Sequence, residues 1–160
     1  MTYPKLNDQV DLLRLIWCPD DVVDGEVIPT AFSKNDLKSL ARCVSVDRID
    51  QLVHAVIRHT AQSQKAKADP ELKRFRDEAY STRLNTGSVR GATDKDGNCP
   101  FLVDRDPISN DDPLIHNPAH CMIGNCSGNK GKSYLLALQT ILAGLTFETM
   151  PLEDALADLS

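Results

Sequence analysis

Residues 42–64 read RCVSVDRIDQLVHAVIRHTAQSQ, and the apolar period changes once along this stretch. From 42 to 48 it is two: Val44 and Val46 point one way, Cys43 and Ser45 the other, as in a strand with one buried face. From 49 onward it is helical. Leu52, Val53, Val56, Ile57 and Thr60 share one stripe, while His54 and Arg58, four residues apart, lie on the opposite side. A strand that runs directly into an amphipathic helix predicts an α+β domain.

Working outward, residues 10–17 (VDLLRLIW) form a short apolar run closed by Cys18-Pro19, which predicts a buried first strand. Asp24-Gly25 marks a turn before a short strand over 26–28, and Ser33 can cap a short helix reaching about Leu40. Beyond the central stretch, Pro70 suits the first turn of a helix extending to about Ala79, and residues 80–90 read as extended. Asp96-Gly97-Asn98 predicts a hairpin turn into a strand over 100–104. A loop rich in Asp, Asn and Pro follows to residue 118, and residues 119–124 (AHCMIG) read as a buried strand. Residues 133–145 (SYLLALQTILAGL) are apolar nearly all round, which predicts a buried helix. In residues 151–159, Leu152, Ala155, Leu156 and Leu159 keep helical spacing, so this tail either covers the core or docks onto a partner. The expected architecture is a single globular domain over residues 1–160: a small mixed sheet packed against a few helices, with a buried helix in the C-terminal half and an amphipathic tail helix at 151–160.

The composition agrees. With 41% hydrophobic and 26% charged residues in 160, the chain is neither disordered nor collagen-like, and its length suits one domain. No apolar run reaches the roughly 18 residues of a membrane span. Residues 1–8 (MTYPKLND) lack a basic segment followed by an apolar one, and five cysteines at uneven spacing do not make a disulfide framework. The expectation is therefore a cytoplasmic protein without membrane attachment. The net charge of −5 argues against nucleic acid as a partner, but it is unevenly spread. Residues 58–90 are net +4 and residues 94–113 net −4. The basic stretch and the tail are the expected contact surfaces for a protein partner.

Three groups of residues carry potential chemistry. His116, His120, Cys121 and Cys126 lie within eleven residues and offer the imidazole and thiolate ligands that zinc prefers, with Cys99 as a further donor, although neighbours such as His120 and Cys121 point to opposite faces of a strand. The same thiols could act as nucleophiles, Cys121 or Cys126 being activated by His116, His54 or His59. Residues 126–133 (CSGNKGKS) end like a phosphate-binding loop, but Cys126 stands where that loop needs glycine. The 27 residues after Ser133 also cannot supply the remaining strands and the acidic magnesium ligand of such a fold. What survives is an anion site at Lys130, Lys132 and Ser133, where free N–H groups open a helix. Finally, Arg14, Ser45 and Arg48 sit on two strands.

Two resemblances follow from these residues. The pairing of Arg14 with Ser45 and Arg48 resembles the layout of ADP-ribosyltransferase-like folds, where such residues hold the phosphates and ribose of NAD; the catalytic Glu of that layout has only Glu148 and Glu153 as late candidates. The order LLRLIWCPDDVV, IPTAF, VSVDR, VR, DP and NPAHC over residues 12–143 resembles a group of small bacterial proteins of unassigned function, which implies a bacterial origin and a self-contained domain. Together these readings favour a small bacterial accessory or protein-interaction module without catalysis. The alternatives are a small enzyme or zinc-binding protein centred on residues 116–126, and an anion or nucleotide sensor.

Overall fold

The computed structural model describes residues 4–69, 71 and 74–159. In chain order its elements are β1 (Asp11–Pro19), the short hairpin of β2 (Val22–Val23) and β3 (Glu26–Val27), β4 (Val44–Arg48), α1 (His54–Lys65), β5 (Arg76–Asn85) and α2 (Thr86–Gly91). They continue with β6 (Phe101–Arg105), β7 (His120–Asn125), α3 (Lys132–Leu145), β8 (Phe147–Pro151) and α4 (Leu152–Asp158). Six strands form one sheet in the order β6-β7-β4-β1-β5-β8. The α+β class is as expected, but every pairing in this sheet among the described residues is antiparallel, where a mixed sheet was expected. No described helix is long and apolar enough to cross a membrane.

The central strand explains the continuous apolar run at its origin. β1 is buried on both faces because helices cover both sides of the sheet. Leu12 and Ile16 join Val44, Val46, Leu84, Cys121 and Ile123 in a core closed by Phe32 and by Leu135, Leu138 and Leu142 of α3. Leu13 and Trp17 face the other way and pack with Ile57 and Ala61 of α1 and Leu152 and Leu156 of α4. The second core is small and stops short of β4 and β7, whose outward side chains there are Ser45, Asp47, His120 and Met122.

Several expectations are corrected. Residues 76–79, the end of the expected helix, join the expected extended segment 80–85 in β5, which pairs with the whole of β1, while residues 86–90 of that segment fall in α2; Pro70 itself lies outside the described residues. Ser81 and Thr82 are fully buried there, and the Thr82 hydroxyl lies 2.8 Å from that of Thr149 on β8, so partners distant in sequence hold the strand on both edges and extend it back over 76–79. Ser33 caps no helix. Its hydroxyl accepts the Asn35 N–H at 3.1 Å in a run of turns. The glycine turn forms, with Gly97 at φ 80° and Asp94 Oδ1 accepting from Asp96 and Asn98 N–H, but it joins α2 to β6 rather than two strands. α3 is buried along one stripe, and Leu136 is 50% exposed.

Of the two expected contact surfaces the tail is turned inward, whereas the basic stretch stays at the surface over most of its described length, with many of its charges engaged within the chain. In the tail, Leu152, Ala155 and Leu156 are buried, so α4 is part of the core. In the basic stretch, Arg58 pairs with Glu153 at 2.9 Å, Arg83 with Glu148 at 3.1 Å and Arg90 with Asp8 at 2.7 Å. Arg76 donates to the Gln64 carbonyl and Lys65 to that of Asp77.

Candidate functional site

β4 meets β1 through only two residue pairs, Leu12↔Arg48 and Leu13↔Asp47, and then the strands part. Arg14 spans the opening. Its guanidinium donates from Nη1 to the Ser45 carbonyl at 2.8 Å and from Nη2 to the Ala31 carbonyl at 3.0 Å, with Cζ 5.7 Å from the Phe32 ring centre. Its Nε is buried and has no hydrogen-bond partner. Burial lowers the Arg14 pKa against the pull of Asp21, Asp36 and Asp47, yet a guanidinium keeps its proton in proteins.

Above this gap lies a cavity of about 440 Å³ between the sheet, α1 and the loop before β7. That volume falls within the roughly 300–1,000 Å³ of small-ligand clefts. From α1 it receives Val56, Thr60 and Ser63, spaced i, i+4 and i+7, together with His59, and from the turn after α1 it receives Lys67. From the loop it receives Ile108, Leu114 and Ile115, three large apolar side chains that are each about two-fifths exposed and form a lip. The floor carries Ser45, Asp47, Asn117 and His120.

Asp47 and His120 are direct cross-strand partners on β4 and β7, so both project from the same side of the sheet. Asn117 holds Asp47: its Nδ2 donates to Asp47 Oδ1 at 2.8 Å, its own Oδ1 accepts from Ala119 N–H, and its main chain bonds Ile108 in both directions. Burial raises the Asp47 pKa, opposed by the Asn117 hydrogen bond and by the charges of His120 and Arg14. His120 Nδ1 lies 2.7 Å from the Asp106 carbonyl and 3.4 Å from its carboxylate. With the Nδ1 proton donated there, Nε2 carries the free lone pair.

The raised Asp47 pKa has a stability consequence. The folded state binds this proton more tightly than an unfolded carboxyl near 3.8 does, so the favourable contribution is complete below that value. It is lost as pH rises through the folded-state pKa. Asp47→Asn keeps the acceptor for Asn117 and removes a buried charge. The variant is expected to gain about 1 kcal/mol at pH 7. Its advantage over the wild type should fade toward pH 4 in paired urea titrations; an advantage that grows with acidity would contradict the assignment.

The four residues read as zinc ligands are dispersed. His116 is exposed on the loop, where its Nδ1 accepts the Asn110 N–H at 3.3 Å. Cys121 points into the core beneath α3, its thiol pushed up to about 11 chiefly by burial, which makes it a poor nucleophile. Cys126 is exposed with its thiol 3.3 Å from the Pro100 carbonyl, and Cys99 is exposed as well. Among the described residues, no three His, Cys, Asp or Glu side chains are grouped to hold a metal ion. Lys130, Lys132 and Ser133 are all exposed at the start of α3. Of the ADP-ribosyltransferase-like set, Arg14 and Ser45 do come together, but Arg48 pairs with Asp50 at 2.6 Å, and Glu148 and Glu153 serve Arg83 and Arg58. Asp47 was not singled out from the sequence; aligning VSVD against HCMI as neighbouring strands is the step that would have found it.

No family model matches the chain, and neither a curated protein nor a solved structure matches it.

Proposed function

We propose that the protein binds a small molecule over the β1–β4 gap and performs general acid–base chemistry on it with Asp47 and His120. The observation that carries this reading is the cross-strand placement of a carboxyl and an imidazole, both facing one cavity and each oriented by a partner of its own. Asp47, holding its proton to higher pH than an ordinary carboxyl, suits the acid, and His120 Nε2 suits the base. Asn117 is a positioning residue for Asp47, and Asp106 for His120. A reducing cytosol suits the five free cysteines.

A second reading, the interaction module without catalysis, draws on one observation: the exposed apolar lip of Ile108, Leu114 and Ile115. One experiment separates the two. A bacterial metabolite extract is incubated with wild type, Asp47→Asn and His120→Gln and followed by mass spectrometry. The acid–base reading expects at least one small metabolite to be consumed by the wild type and to be turned over about 10²-fold or more slowly by either variant. No consumption, or equal consumption by all three proteins, overturns it.

A further inference from the structure

The cavity carries more positive than negative charge. Arg14 lies in its floor and Lys67 on the turn that follows α1, while Asp47 is the single acidic residue among the described lining. Arg14 is the unusual member. Arg48, Arg58, Arg83 and Arg90 each hold a carboxylate within ion-pair distance, but Arg14 has two carbonyl oxygens, an aromatic face and an unpartnered buried Nε. Taking a cation out of water without a hydrogen-bonded counter-charge is costly, and Arg is seldom buried unpaired. Asp21, Asp36 and Asp47 act on Arg14 through space, but its guanidinium hydrogen bonds go to the Ser45 and Ala31 carbonyls and not to a carboxylate. The opposite end of the chemistry is apolar, with Ile108, Leu114 and Ile115 leaving hydrocarbon surface exposed at the mouth.

Resting on the acid–base site above, we infer that its ligand is a small organic anion, whose charged group is held by Arg14 and Lys67 and whose apolar body sits beneath Ile108, Leu114 and Ile115. Such a ligand supplies the counter-charge that Arg14 lacks and covers the apolar lip in one step. A bound anion in turn favours the protonated form of Asp47, which then donates a hydrogen bond to an oxygen of that anion.

The test is a titration of the full-length ¹⁵N-labelled protein with phenylacetate, phenyl phosphate and the neutral phenylacetamide, followed by amide shifts. Both anions should saturate shifts at Ser45, Ser63, Lys67 and Leu114, and phenylacetamide should bind about fivefold or more weakly. The anion affinities should fall as salt rises. Lys67→Gln, an exposed substitution that leaves the folded spectrum in place, should remove most of the preference for anions; Arg14→Lys should retain more of it than Arg14→Gln does. Equal affinity for phenylacetamide at the same amides overturns the anion inference and leaves the site standing. Anion shifts confined to Lys130 and Lys132 also overturn it. If none of the three probes moves a cavity amide, the binding site itself fails and the inference fails with it.

Discussion

Truncation after Met150 is expected to leave a chain with no cooperative unfolding transition at 25 °C. The cut removes α4, whose Leu152 and Leu156 are 4% and 1% exposed and complete the smaller core with Leu13, Trp17, Ile57 and Ala61. Losing a buried leucine side chain costs about 2–5 kcal/mol, so two of them approach the whole stability of a domain this size, about 5–15 kcal/mol. The loss is concentrated, because that core contains few other large side chains. It also uncovers Trp17, the single tryptophan of the chain, whose Nε1 donates to Gln64 Oε1 at 2.8 Å. Emission of the truncated protein should therefore lie where fully denatured protein emits, and urea should produce no sigmoid. A truncated protein with the wild-type midpoint would show that α4 is peripheral and would return the tail to the list of partner surfaces.

Phe32→Ala is expected to cost about 3–5 kcal/mol, because the ring is fully buried and the larger core cannot collapse onto the vacated space. Three elements meet there. The ring packs in the core that α3 closes, Gln139 Nε2 of α3 donates to the Phe32 carbonyl at 2.6 Å, and Arg14 lies over its face. Phe32→Leu keeps most of the volume and should cost about 1–1.5 kcal/mol in the same urea titration. The difference between the two separates packing from chemistry. Both variants lose the aromatic face beneath Arg14, so both should weaken anion binding, while only the alanine variant should unfold easily. A cost below about 1 kcal/mol for Phe32→Ala would mean that the ring does not fill the core.

The legible parts of the fold are those in which neighbouring residues carry the signal. The alternation of residues 42–48, the apolar runs that became β1 and β7, and the helical stripe of α1 all depend on side chains a few positions apart. The start of β5, residues 76–79, reads as helix because the pattern of this strand is poor. Its small polar residues Ser81 and Thr82 are buried against β1 and β8, partners sixty or more positions away. Part of the site was legible too. His120, Asn117, Arg14 and Ser45 all stood in segments marked for chemistry, but they were assigned to separate groups. Asp47 was invisible as a functional residue, because nothing adjacent to it in the chain makes it unusual.

The sequence by itself determined the class of the domain, the positions of most of its strands and helices, and which segments hold reactive side chains, because hydrophobic period and turn chemistry act over a few residues. The tertiary structure alone decided that the tail belongs to the core, that the proposed zinc ligands face different ways, and that the strands part beside Arg14. It also decided which groups share a cavity. Strand order and register are set by pairings between distant segments, and a shift of one residue in the β4–β7 register would send Asp47 and His120 to opposite faces of the sheet.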